Sequence, residues 1–258
     1  MDSRRAAQAL GSLRRFGRMR YFGSVDSTNA RALDVLHDND CLGISFVTEC
    51  QDKGRGRAGR AWIAPPGSGL LLSTILPAAL PHAVLPAVGF WAALAVRDAV
   101  QKAAGTELQM KWPNDLLLGA RKCGGILCEA RSTGPTSRVV VGVGLNANRP
   151  QRQLPELPDA GWLSDAGAKL VDRTALLIAL LSVYEDTFDL LVDEPREIIA
   201  RWSGLAALDG KPLRIKSASG RHLCEGIARG VDPSDGTLLV GTSSGIQRIT
   251  LGDVEALS

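Results

Sequence analysis

The sequence predicts an α/β protein in two parts. Strand-length apolar runs alternate with long apolar helical segments up to about residue 206. From about Gly210 several short strands with Gly-rich turns read as a small antiparallel barrel. At 258 residues, with 45 % hydrophobic residues, the chain has room for one large domain or a main domain plus a small one.

In order, Arg4 to Arg20 is basic and reads as a short solvated helix with Arg on its outer face. Val25-Asp-Ser-Thr-Asn29 precedes a helical pattern from Ala30 to Leu36, which Ser27 or Thr28 is placed to cap. Ile44 to Val47 and Gly69 to Leu76 are strand-like, the second closed by Pro77. Ala83 to Ala104 is alanine-rich and reads as a helix buried on much of its surface. Three short strand-like pieces follow, Leu108–Met110, Leu116–Leu118 and Gly125–Cys128, then the Val-rich run Arg138–Leu145. Pro150 to Pro158 reads as a loop; Arg173–Leu190 and Pro195–Trp202 read as amphipathic helices. Beyond these, Lys211–Lys216, Arg221–Val231 and Leu238–Val240 are the barrel strands. No Phe, Tyr or Trp lies after Trp202, which argues against base stacking or an aromatic peptide groove there.

The most informative stretch is Gln51-Asp-Lys-Gly-Arg-Gly-Arg-Ala-Gly-Arg-Ala-Trp62. Glycine lets the backbone approach a ligand closely, and each guanidinium offers a fork of donors to carboxylate or phosphate. Such a loop suits closure over an anion. Gly54 to Gly59 also matches the dinucleotide fingerprint G-x-G-x-x-G. Pro65-Pro66-Gly67 forbids the helix that fingerprint needs, and no Asp or Glu falls between Asp52 and Asp98.

Composition narrows the function further. A net charge of +3 makes any anion attraction local. No apolar run approaches a membrane span and no secretory signal opens the chain, so a cytoplasmic protein is expected. The five cysteines fit no zinc framework, and most read as small buried residues of a reduced protein. His37, His82 and His222 are scattered, and no nucleophile–base arrangement stands out.

Three further clusters carry chemistry. Lys111-Trp-Pro-Asn-Asp115 sets a cation and two polar side chains at a rigid corner. Arg121-Lys122-Cys-Gly-Gly-Ile-Leu127 puts paired cations before two glycines and a strand. Val141-Gly-Val-Gly-Leu-Asn146-Ala-Asn148 ends a buried strand in glycines and asparagines, a common pocket wall. Each is also an ordinary turn when taken alone.

Together and in this order, with Asp26-Ser-Thr-Asn29 and Gly226-Ile-Ala-Arg-Gly-Val-Asp232, these clusters resemble the biotin protein ligases over nearly the whole chain. The resemblance implies an α/β (α+β) fold, with a mixed-sheet catalytic domain at 1–206 and an SH3-like barrel at 207–258. It implies a cytoplasmic ligase that joins biotin to ATP, with Mg²⁺, as biotinyl-adenylate. The biotin then passes to a lysine of a biotin carboxyl carrier protein. It implies that Ser27, Thr28, Asn29, Gln51, Arg55, Gly56 and Arg57 bind biotin. Lys122 is the expected catalytic residue, at the biotin carboxylate and α-phosphate, with Arg57 beside it. Arg57, Arg60, Trp62, Lys111, Asn114 and Asn146 are expected near the nucleotide, and Asp115 near Mg²⁺.

Step one brings two anions together, which cations must offset. The adenylate is water-sensitive, which a closing loop suits. Step two uses the acceptor's own lysine, consistent with no evident enzyme nucleophile. Two departures stand out: Gly124, where the family usually has Ala, and Ala58, where another Arg is frequent. About 20 residues precede the first motif, too few for the winged helix-turn-helix of repressor-type members, so no sequence-specific DNA binding is expected. A monomer or weak homodimer is expected, with no membrane association. A lipoate or octanoyl transfer enzyme is the nearest alternative, and a nucleic-acid binder using the Arg–Gly loop is the alternative from another class.

Overall fold

The computed structural model describes residues 1–151, 154–167, 170–206 and 208–257. Part of the expected Pro150–Pro158 loop, at 152–153, and residue 207 at the expected domain break lie outside the described residues.

The first part is a mixed sheet between unequal layers. Its strands are β1 (Arg18–Phe22), β2 (Ile44–Thr48), β3 (Gly69–Ile75), β4 (Leu80–Pro81), β5 (Gln109–Lys111), β6 (Asp115–Leu118), β7 (Arg121–Thr133) and β8 (Thr136–Asn146). They run in the order β1-β2-β3-β8-β7-β6-β5, with β4 pairing β8 off this path. Among the pairings of these described strands, only β1–β2 is parallel. The helices are α1 (Ser3–Leu10), α2 (Thr28–Asp34), α3 (Leu85–Ala104), α4 (Arg173–Asp193) and α5 (Pro195–Ala206).

On one face α1, α3, α4 and α5 share a core with Val141, Val143 and Leu145 of β8. The opposite face holds α2, whose Ala32, together with Leu36 just beyond its end, packs on Phe46, Ile75 and Val140. The two-residue period of β8 sends Gly142, Gly144 and Asn146 to the α2 face, beside Val140. Because α2 is only seven residues long, it leaves the rest of that face open.

Local chemistry explains the helix ends. Pro86 sits in the first turn of α3, and Gly105 closes it at φ 62°, a left-handed cap. Asp172 caps α4 by accepting from the backbone N–H of Thr174 and Ala175. The helix α4 is broadly apolar rather than strictly amphipathic, because α1, α3, α5 and β3 all pack on it. Ser27 occupies the N-cap of α2 but makes no side-chain cap bond, contrary to the sequence expectation. Thr28 does not cap either: its N–H and hydroxyl both donate to Gln51 Oε1, at 2.8 and 3.1 Å.

The second part is an antiparallel sheet of β9 (Pro212–Lys216), β10 (His222–Val231), β11 (Leu238–Thr242), β12 (Gly245–Ile249) and β13 (Asp253–Ala256), in the order β12-β11-β10-β9-β13. It is pinned to the first part. Trp112 Nε1 donates to the Gly236 carbonyl at 3.1 Å, and Val231 N–H donates to Ser203 Oγ of α5 at 3.1 Å. A Cβ at Gly236 would meet the Phe90 ring at 2.5 Å, so only glycine allows this approach.

Among the described residues no helix is long and apolar enough to cross a membrane. Of the cysteines, Cys41, Cys123 and Cys224 are buried as expected; Cys128 is exposed and Cys50 half-buried.

Candidate functional site

The open part of the α2 face is a cavity of about 320 Å³, walled by the start of α2, the loop 55–63, β6, β7 and β8, and the segment 156–160. Its size suits a small-molecule site.

One end is buried and polar. Ser27, Thr28 and Asn29 are at most 5 % exposed. The Ser73 hydroxyl reaches Thr28 Oγ1 at 2.7 Å and also contacts Asn29 Oδ1. The Asn29 amide donates to the Leu127 carbonyl at 3.2 Å and to Glu129 Oε2 at 2.7 Å. This network depends on Gly142, because a Cβ there would overlap the Asn29 carboxamide. Gly144 serves Trp62 in the same way: a Cβ would come within 2.5 Å of the indole.

The cations occupy the other end. Register slips between β6 and β7: Leu116 pairs with Gly124 but Leu117 with Lys122, leaving Cys123 as an extra residue. A bulge of this kind re-aims the neighbouring side chain. Cys123 turns into the core, its thiol against the Asn146 carbonyl at 3.4 Å, and burial pushes that thiol up to about 12. Lys122 lines the cavity, with Nζ 2.5 Å from Asp115 Oδ1 and 5.9 Å from the centre of the Trp62 ring. Gly124 sits within the bulge; a Cβ there would lie 2.9 Å from Leu145 Cδ1 and 3.2 Å from Leu116 Cδ1, so the glycine lets both side chains close in.

The Arg–Gly loop lies across this end as a small closed turn. Gly56 N–H donates to the Arg60 carbonyl at 2.7 Å, Trp62 N–H donates to the Gly54 carbonyl at 2.9 Å, and Arg55 bridges to Ala61. Ala58 takes φ 54°, a left-handed conformation that side chains disfavour. Each guanidinium has a partner. Arg55 pairs with Glu129 at 2.8 Å, Arg57 donates to Asn114 Oδ1 at 3.0 Å, and Arg60 pairs with Asp253 at 2.9 Å. Burial lowers the Arg57 pKa, Asp253 and Asp115 pull it up, and Arg60 repels it. An added anion would relieve this buried charge.

Three buried side-chain atoms among the described residues lack a hydrogen-bond partner: Trp62 Nε1, Asn146 Oδ1 and Tyr184 OH. The first two belong to residues of the cavity wall. A buried donor and acceptor left unpaired there point to a polar ligand.

Of the residues singled out in the sequence, Ser27, Thr28, Asn29, Gln51, Arg55, Gly56, Arg57, Arg60, Trp62, Asn114, Asp115, Lys122 and Asn146 all line the cavity. Lys111 does not line it; it lies at the end of β5, where its charge acts on Glu255 of β13. The apolar wall is less Val-rich than the sequence suggests, with Ile63, Leu127 and Leu157 alongside Val143. Glu129 and Asp253 were not singled out. Glu129 was readable, since it stands two residues from Leu127 on one strand face.

As to a divalent cation, no group of three or more His, Cys, Asp or Glu that would hold a metal occurs among the described residues. Asp115 is a single carboxylate beside Lys122. That fits Mg²⁺ only in its usual manner, with one or two carboxylates and the rest of the shell from phosphates and water.

Residues 21–146 match the model of the biotin/lipoate A/B protein ligase family. The bifunctional ligase/repressor BirA of Bacillus subtilis is 32 % identical over 239 residues, 91 % of this chain and 73 % of that protein. The biotin–[acetyl-CoA-carboxylase] ligase of Paracoccus denitrificans is 32 % identical over 251 residues, covering 89 % of this chain and 97 % of that one. A biotin protein ligase from Aquifex aeolicus, solved with biotin and ATP, superposes with a TM-score of 0.76 at 25 % identity, covering 94 % of this chain and 99 % of that one.

Proposed function

The chain belongs to the biotin protein ligases of the biotin/lipoate A/B protein ligase family, and from that premise we propose how its own residues carry out the reaction. The protein is an ATP-dependent ligase that activates biotin as biotinyl-5′-AMP and transfers it to a protein lysine. The acceptor is a biotin carboxyl carrier protein. The observation that carries the mechanism is the bulge at Cys123, which delivers Lys122 into the cavity beside Asp115, Trp62 and the Arg–Gly loop.

Biotin's ring end occupies the buried polar pocket of Ser27, Thr28, Asn29 and Gln51, where donors and acceptors are fixed before it arrives. Its carboxylate lies toward Lys122 and the backbone of Arg55, Gly56 and Arg57. The nucleotide lies between Arg57, Arg60, Trp62, Asn114 and Asn146, where the unpaired Trp62 Nε1 and Asn146 Oδ1 are available to it. Lys111 acts from just outside the wall. A carboxylate oxygen of biotin attacks the α-phosphorus, the bond to the bridging oxygen breaks, and pyrophosphate leaves. Lys122 moves from Asp115 to the reacting anions and offsets their charge. Asp115, released, is placed to hold Mg²⁺, which when bound neutralises phosphate charge.

The loop then shields the mixed anhydride from water. The carrier's lysine, as free amine, attacks the acyl carbon; the bond to AMP breaks, and the ammonium proton is lost to solvent. We further assign the five-stranded sheet as an SH3-like barrel, with the catalytic part at 1–206 and the barrel at 207–258. In support, the last strand β13 returns to pair with β9, the first strand of this sheet. A cytoplasmic monomer or weak homodimer fits this chemistry.

The test is incubation with ATP, labelled biotin and a biotin carrier domain. Biotin on the carrier lysine and biotin-dependent pyrophosphate release are expected. Transfer of lipoate in place of biotin would overturn the reading.

A further inference from the structure

The Arg–Gly loop is tied down at three points, and they are not alike. Arg55 is held by Glu129 of β7, and Arg57 by Asn114 just before β6, both in the first part. Arg60 is held from the C-terminal sheet, by Asp253 at the first position of β13. Ala58, Gly59 and Arg60 are exposed, so no apolar burial keeps the tip of the loop in place. Closure at the tip rests on polar anchors alone. The groove behind the tip is walled by Leu127 on one side and by Ala218, Leu223 and Leu251 of the C-terminal part on the other.

We propose that Asp253 is a positioning residue that latches the loop shut through Arg60, so that the C-terminal sheet governs how long the adenylate is retained. This rests on the reading of residues 54–61 as a lid. The geometry gives the latch a fixed post. The C-terminal sheet is docked by the Trp112–Gly236 hydrogen bond, by the Ser203–Val231 hydrogen bond and by the close approach of Gly236 to Phe90. Asp253 is therefore held at a set position relative to the pocket while Arg60 is on the moving part. The same carboxylate also acts on Arg57, whose buried charge it offsets. One residue of β13 thus bears on two of the three loop arginines. Arg60 is 55 % and Asp253 38 % exposed at the side chain, so the pair is weak and salt-sensitive. A latch that must open each turnover has to be weak.

The test uses the full chain with Asp253→Asn and Asp253→Glu. Trypsin cuts after arginine, so cleavage within residues 55–61 of the ligand-free protein reads loop opening without any catalysis. Asp253→Asn is expected to speed that cleavage about two- to fivefold at low salt, as loss of an exposed ion pair implies. It should speed release of preformed biotinyl-adenylate by a similar factor, leaving the melting temperature unchanged. Asp253→Glu restores both rates. In about 1 M salt, where the Debye length is about 3 Å, the variant and the parent converge. Unchanged cleavage at low salt overturns the latch. So does faster cleavage that persists in high salt or comes with a lowered melting temperature, since either marks a structural role. If the parent protein makes no adenylate, the reading of its function fails, and the cleavage arm still decides the latch.

Discussion

At the α2 end of the cavity Ser27, Thr28 and Asn29 are buried, and Thr28 and Asn29 are bonded to Gln51, Ser73, the Leu127 carbonyl and Glu129. At the loop end Arg55 and Arg60 are about half exposed and each leans on one carboxylate. The first end is preorganised: its cost was met in folding, and a ligand finds donors and acceptors already aimed. The second is an arrangement of exchangeable pairs. Lys122 rests on Asp115 and Arg55 on Glu129, so each of these cations already has an anion that an incoming carboxylate or phosphate can replace, while Arg60 on Asp253 ties the loop to the C-terminal sheet. Recognition of the part of the substrate that never reacts calls for rigidity. Handling charge that appears and leaves calls for partners that swap.

The largest expected effect falls where the two ends meet. Lys122→Ala should slow adenylate formation on the order of a hundred- to a thousandfold, as loss of a group that stabilises transition-state charge does. The melting temperature should hardly move, because Lys122 is an exposed side chain whose one ion pair is small. Near-normal biotin-dependent pyrophosphate release would remove Lys122 from its role.

Gly142→Ala probes the rigid end alone. The new Cβ displaces the Asn29 carboxamide, so biotin affinity should fall roughly ten- to a hundredfold, matching about 1–3 kcal/mol of overpacking. Equilibrium titration with biotin reads this directly. Affinity within twofold of the parent would mean that the buried network does not need Asn29 in place.

Much of this was legible in the sequence, and particular residues show why. The long apolar helix α3 announces itself by length, Pro86 and Gly105. Gly142 and Gly144 were visible as part of a pocket wall, but not what they make room for, since Asn29 and Trp62 come from far along the chain. The arginines of the loop stood out in the sequence as a cluster of cations, whereas Asp253 lies almost 200 residues away in an ordinary-looking turn and strand. The bulge at Cys123 was invisible for a different reason. A one-residue slip is set by pairing with β6, and strand alternation read from sequence assumes that none occurs. Edge strand β1, with Arg18 and Arg20 in its first three positions, also gave no strand pattern.

The contrast between a rigid end and an exchangeable end is tested most directly by the release rate of preformed biotinyl-adenylate from Arg57→Ala. Arg57 is the loop cation that burial strips of water, which lowers its pKa, and its guanidinium donates to Asn114. The account predicts release about tenfold faster than from the parent, the scale of a lost charge-assisted hydrogen bond. Release at the parent's rate would contradict it.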